Sequence, residues 1–275
     1  MELWKPYKIE NAIEIDRLYS LYNVAYNENF HFDGEIHDFW ECVYVQSGGI
    51  CVSGDDRVYN VGAGDIVFHK PMELHKFFVT EKQGAQLVIF SFTMNGKYAD
   101  YFRDKVFCLN VEQQRILSDI ASYAPEKIPY RNYMENIYTS PVNIQKFCSY
   151  VTLLMLSLLE CGSAFESVTT EEAILFKTAV DYMASNVDCA ITVADISKHC
   201  LVSESTLKRI FNKYAGISVH RYFLSLKLKA AAQLLKTGKN VTEVTELLNF
   251  SSQSYFSFCF KRETGKSPSQ LRTKV

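Results

Sequence analysis

An α+β chain in two segregated parts is predicted by three observations. Eight of the twelve glycines lie between Gly34 and Gly96, where they punctuate short apolar runs. The last third instead holds long stretches at helical spacing, and one helical pattern occurs in it twice. Charge divides at the same place: Val193 to Val275 carry 14 Lys+Arg and 5 Asp+Glu, leaving 15 and 26 of the chain's 29 and 31 for the rest. Strands followed by helices, over 275 residues with 48% apolar content, imply two domains that each bury a core.

The opening MELWKPYKIE lacks an apolar leader. From Tyr19 onward the texture is that of strands. They are expected at Phe39–Val45, Ile50–Ser53, Arg57–Val61, Asp65–Phe68, Lys76–Val79 and Leu87–Phe92, with turns at Gly48-Gly49, Gly54 to Asp56, Gly62 to Gly64 and Lys70-Pro71. Many short strands with glycine turns fit a sandwich or jelly-roll barrel. Short helices follow at Tyr98–Asp104 and Glu112–Ser122, and Pro125 and Pro129 break the second run.

After Pro141 a longer helix begins, in which Ile144, Phe147, Val151, Leu154, Leu158 and Cys161 recur at steps of three and four. Such a seam fits a helix packed on the barrel or a homodimer interface through Phe147, Val151, Leu154 and Leu158. Residues 162–170, GSAFESVTT, read as a linker. The expected domains are therefore 1–161, with a helical tail from about 98, and 171–275.

In the second domain VADISKHC-LVS-ESTLKRIFNKYAG (Val193 to Gly216) and VTEVTELL-NFSS-QSYFSFCFKRETG (Val241 to Gly265) match. An offset of 49 pairs Ser203 with Ser252, Phe211 with Phe260 and Gly216 with Gly265. Each copy is a short helix, a turn, and a second helix opened by a capping serine and closed by a glycine suited to the left-handed conformation. That is the layout of a helix-turn-helix, whose second helix enters the major groove.

The candidate DNA-facing residues are Ser203, Ser205, Thr206, Lys208, Arg209 and Asn212 in the first unit. In the second they are Ser252, Gln253, Ser254, Ser257, Lys261 and Arg262. Between the units Ser218 to Lys236 contains no Gly or Pro and reads as one helix about 28 Å long. Successive major-groove faces lie about 34 Å apart, so such a strut suits two adjacent grooves.

The run SSQSYFSFCFKRETGKSPSQLR, with IFNKYAGIS upstream, resembles the DNA-binding domain of AraC-type bacterial transcription regulators. The resemblance implies base reading by Ser205, Lys208 and Arg209, and by Gln253, Ser254, Ser257 and Phe258. Leu201 and Asn249 stand where such turns usually carry glycine. Upstream, His37-x3-Glu41-x6-Gly48, Gly64-Asp65 and Pro71-x3-His75 resemble the two motifs of cupin barrels. In metal-binding cupins the matching residues ligate a divalent ion, yet Glu35 replaces the first histidine of the usual pair and the glycine before the last histidine is missing. The preferred reading assigns no metal or other cofactor and makes His37, Trp40, Glu41 and His75 the lining of a small-molecule effector site. Tyr44, His69 and Phe77 are possible companions.

Eight scattered cysteines with no CxxC pair exclude zinc-finger and thioredoxin readings. The most apolar run, Val151 to Leu159, is short for a bilayer span, so a cytoplasmic location without membrane is expected. The whole reads as a regulator that binds double-stranded DNA under control of an effector, a sugar being the first guess. A homodimer and contact with RNA polymerase are further expectations. The rivals are a cupin-type metalloenzyme with an accessory basic domain and a constitutive DNA-binding dimer.

Overall fold

The structure, a computed structural model, describes residues 8, 10–124, 140–161, 163–165 and 170–271. Its first part is an antiparallel β-structure: β1 (Glu14–Tyr26), β2 (Trp40–Gly54), β3 (Arg57–Gly62), β4 (Asp65–His69), β5 (His75–Val79), β6 (Ala85–Asn95), β7 (Val106–Cys108) and β8 (Ser163–Phe165). The hydrogen-bonded path runs β1-β6-β2-β4-β7-β8, with β3 and β5 also pairing with β2.

The turn expected at Gly48-Gly49 is instead the middle of β2. Trp40 to Gly48 pair with β4 or β6, and Gly49 to Gly54 pair with β3 and β5. A bulge between Val45 and Ser47 and a positive φ of 77° at Gly48 bend the strand from one sheet into the other. A Cβ at Gly48 would stand 2.0 Å from the Gly84 carbonyl oxygen, so glycine is required there.

Alternation along the strands makes two layers. Val43, Val45, Val67, Phe77, Leu87 and Ile89 fill the interior. Trp40, Cys42, Tyr44, Phe68, Phe90 and Phe92 face outward and are covered by α1 (Val111–Ala121) and α2 (Pro141–Cys161). This overturns the expected dimer seam: Phe147, Val151, Leu154 and Leu158 are fully buried against that outer layer and leave no surface for a second chain. It also removes Trp40 from the effector set, because its ring points away from the barrel interior.

Over Pro141–Glu160 the helix has the length and composition of a membrane span, with a mean hydropathy of 1.4; the run Val151 to Leu159 understated it. Its apolarity serves the barrel on one face, while Leu153 and Leu156 are exposed. The expected breaks at Pro125 and Pro129 lie outside the described residues, as do residues 162 and 166–169 of the expected linker. Part of that linker, Ser163–Phe165, is a strand paired with β7.

The helical part comprises α3 (Glu171–Ala184), α4 (Val193–His199), α5 (Glu204–Ala215), α6 (Val219–Lys236), α7 (Val241–Leu247), α8 (Gln253–Thr264) and α9 (Pro268–Leu271). Each repeat opens with a capping box, Thr192 with Asp195 and Asn240 with Glu243. Ser203 and Ser252 cap α5 and α8, and Gly216 (φ 68°) and Gly265 (φ 71°) close them. Leu201 (φ 57°) and Asn249 (φ 49°) take the left-handed turn positions although neither is glycine.

One apolar core crosses the expected domain boundary. Cys51, Val58 and Leu74 of the barrel share it with Phe176, Phe211, Tyr214 and Tyr222 of the helices. The second unit has its own core around Leu228, Val244, Phe256 and Phe260.

Candidate functional site

The amphipathic pattern of α5 buries Leu207, Ile210, Phe211 and Tyr214, which leaves Ser203, Ser205, Lys208, Arg209 and Asn212 exposed and Thr206 half-buried. On α8, Phe256, Cys259 and Phe260 are buried; Ser252, Gln253, Ser254, Lys261 and Arg262 are exposed and Ser257 is half-buried. The expected DNA-facing residues thus share one accessible face on each reading helix. Phe258 lies on the same face, 63% exposed, with the Arg262 guanidinium 5.6 Å from its ring centre. An aromatic edge in that place suits a thymine methyl better than a guanine.

Two contacts on α5 were not visible in the sequence. Glu172 of α3 holds Arg209 at 2.7 Å and Lys213 at 2.6 Å. The end of α5 is also capped from the barrel, where free helix carbonyls need donors. The Lys76 ammonium donates to the Asn212 carbonyl at 2.8 Å, and the Ser53 hydroxyl donates to the Tyr214 carbonyl. A cation at a helix C-terminus also complements the helix dipole.

At one end of the barrel interior the structure brings Glu35, His37, Glu41 and His75 together, with one ligand atom from each lying within 4.8 Å of the others. β2 places Glu41 and β5 places His75. The segment carrying Glu35 and His37 runs beside β5, where Glu35 and His75 exchange backbone hydrogen bonds of 3.0 and 3.1 Å.

His37 Nδ1 lies 3.0 Å from the Phe39 carbonyl and His75 Nδ1 3.2 Å from the Glu73 carbonyl. A carbonyl only accepts, so each Nδ1 carries hydrogen and each Nε2 is turned to the cluster. Both Nε2 atoms are buried and face the carboxylates: His75 Nε2 stands 3.3 Å from Glu41 and 3.6 Å from Glu35, and His37 Nε2 3.9 Å and 3.8 Å from the same two. Imidazoles oriented by a backbone carbonyl, beside carboxylates, are the arrangement that holds a divalent cation of the zinc, iron or manganese type. The residues therefore fit such an ion, and Glu35, which the sequence motif counted against a metal, is itself a donor.

Burial would depress His75, but the carboxylates of Glu35 and Glu41 hold it at about 10, so a proton there and a cation are alternatives. Burial and the neighbouring His75 charge keep His37 low and neutral. Burial, together with the charges of Glu35 and Glu41, raises Tyr22. His69 is buried, stacks on His75 with ring centres 4.2 Å apart, and lies 3.0 Å from Glu73 through Nδ1. Among the sequence-based companions, His69 and Phe77 face the interior and Tyr44 faces the helices.

A polar-ended barrel joined to two helix-turn-helix units with exposed reading faces defines a DNA-binding transcription regulator rather than an enzyme. An AraC-like ligand binding domain matches residues 18–120, and a helix-turn-helix domain matches residues 196–274. The chain belongs to the AraC-type transcription regulators.

It is 25% identical over 249 residues to the uncharacterized HTH-type transcriptional regulator YfiF of Bacillus subtilis (strain 168), covering 86% of this chain and 77% of that one. The uncharacterized regulator YidL of Escherichia coli (strain K12) is 24% identical over 240 residues, with coverages of 86% and 76%. The raffinose operon transcriptional regulatory protein RafR of Pediococcus pentosaceus is 31% identical over 101 residues, 36% of each chain.

Proposed function

We propose that this regulator is a cytoplasmic, sequence-specific DNA-binding protein whose affinity for its operator is set by a small polar effector at the barrel's polar end. The observation that carries the reading is the pair of exposed reading faces on α5 and α8, joined by α6. Its 18 residues make a strut about 27 Å long. Arg209 and Lys208 supply base contacts in the first unit, and Lys261 and Arg262 hold phosphates in the second.

His37, Glu41 and His75, with Tyr22 and Glu35 added, offer the imidazole, carboxylate and phenol groups that a sugar's hydroxyls would use. The printed role of RafR in a raffinose operon makes sugars the first class to test. Two copies on paired half-sites and contact with RNA polymerase belong to this reading; the surface joining the copies lies off the buried α2 seam. The proposed units are a barrel domain with its helical tail, 1–161, and a DNA-binding domain, 171–275.

Selection of bound sites from random duplex DNA by the full chain, with and without candidate sugars, tests this. A shared motif whose binding weakens steeply with salt is expected. Equal retention on every duplex and on heparin-like polyanions would overturn it.

A further inference from the structure

Alternation along β5 sends Phe77 and Val79 into the barrel and Lys76 and Phe78 outward, against the flank of the first reading helix. His31 pairs with Phe78 along the backbone and stacks on its ring, with centres 5.6 Å apart. Across from them stand Arg209, Asn212 and Lys213, which steps of three and four put on one flank of α5. The six residues line a notch of about 310 Å³ between barrel and helix. His31, Arg209 and Asn212 are exposed, and the last two belong to the reading face, so the notch opens beside that face.

Charge in the notch is unbalanced. Lys76 is 7% exposed, yet its ammonium rests on the Asn212 carbonyl, and no carboxylate among the described residues forms an ion pair with it. Burial pulls this ammonium below the usual lysine range, and the charge of Asp33 offsets only part of the pull. Arg209 and Lys213 share a single carboxylate, Glu172, at 2.7 and 2.6 Å. Three cations therefore meet one carboxylate, which is unfavourable for a half-dry site until a further anion enters it. A helix about 10–12 Å across fills a major groove about 12 Å wide, so whatever abuts the flank of that helix faces a phosphate strand.

We propose that the notch is a phosphate site, in which His31 and Lys76 of the barrel and Lys213 of α5 together hold one backbone phosphate of the operator beside the groove that α5 reads. The barrel is then part of the DNA interface and stays docked on the first unit in the bound complex. Arg209 turns from Glu172 to its base, and the phosphate replaces Glu172 as the partner of Lys213. The Lys76 ammonium keeps the Asn212 carbonyl and directs its remaining hydrogens to the phosphate. The proposal rests on reading the chain as a DNA-binding regulator, and it adds to that reading a contact outside both helix-turn-helix units.

The test binds the full chain to its selected operator, with single phosphates along both strands replaced in turn by uncharged methylphosphonates and affinity read by fluorescence anisotropy. For the unaltered protein, one replacement flanking the site of the first unit should cost about tenfold through this notch. Lys76→Met keeps the aliphatic stem; it should lower the slope of log affinity against log salt by about one, and that same replacement should then cost nothing further. Lys76→Arg should restore both. Lys76 also caps α5, so an exposed residue that caps nothing serves as the second probe. His31→Glu should weaken binding at low salt, recover at high salt, and single out the same phosphate.

Methylphosphonate profiles of Lys76→Met and His31→Glu that run parallel to that of the unaltered protein overturn the proposal. So does a change spread evenly over all phosphates, which marks a long-range field rather than a contact. If no duplex is selected at all, the regulator reading itself has failed; a selected operator with parallel profiles fails the notch alone.

Discussion

On the proposed reading Arg209 contacts a base edge, and in the structure its guanidinium rests on Glu172 at 2.7 Å. Arg209→Ala should cost about 1–3 kcal/mol on a selected operator and relax the preference at one base pair, read by fluorescence anisotropy. Lys261→Ala should instead weaken all duplexes alike and reduce the slope of log affinity against log salt by about one. Glu172→Gln removes the internal competitor for both Arg209 and Lys213. It should raise affinity for random duplexes at low salt, with the gain shrinking at high salt as exposed charges are screened. Unchanged affinity at low salt would mean that the ion pairs do not restrain the reading face. The sequence offered Arg209, His37, Glu41 and His75 by motif. It could not offer Glu172 or Tyr22, because their roles come from neighbours that no spacing relates. Glu35 was in view and set aside: a motif written in histidines gives a carboxylate no place, and the fold puts it beside His37, Glu41 and His75.

Among the elements, α2 shows what periodicity can and cannot say. Steps of three and four put Phe147, Val151, Leu154 and Leu158 on one face correctly, but a face packed on a sheet and one packed on another helix have the same spacing. Leu154→Lys should destabilise the fold by at least about 3 kcal/mol in a denaturant titration, since it buries an unpaired charge. Leu153→Lys, at a position 49% exposed, should be nearly neutral. Both reading helices were legible because their punctuation is local: Ser203 and Ser252 open them and Gly216 and Gly265 close them. β7 and β8 were not, since three residues hold no period, and β1 was missed because it is half-exposed along much of its length. The turn before α5 carries a local misfit. Leu201 is 92% exposed at φ 57°, where a side chain costs about 1–2 kcal/mol. Leu201→Gly should therefore stabilise the chain by about 0.5–1 kcal/mol after the entropy of glycine is counted, visible as a higher melting midpoint.

At the scale of the molecule, the division of charge was readable from composition, but the embrace of the two parts was not. The acidic barrel meets the basic helices through Asp56 with Lys177, Asp55 with Lys229 and Asp38 with Lys266. These partners are more than 100 residues apart, and nothing in the pattern of either part announces the other. Exchanging Lys177 and Lys229 for Glu sets like charges against Asp56 and Asp55. The double variant should open the arrangement, read as a larger radius of gyration in small-angle scattering. How far it can open is set by β8. The strand stays stitched to β7 up to Phe165 and α3 begins at Glu171, so the tether from Phe165 to Thr170 reaches at most about 17 Å when taut. On a leash that short the released helices remain at an effective local concentration in the millimolar range. A grip too feeble to be detected between separate molecules is then enough to hold them, and a modest ligand is enough to tip the balance.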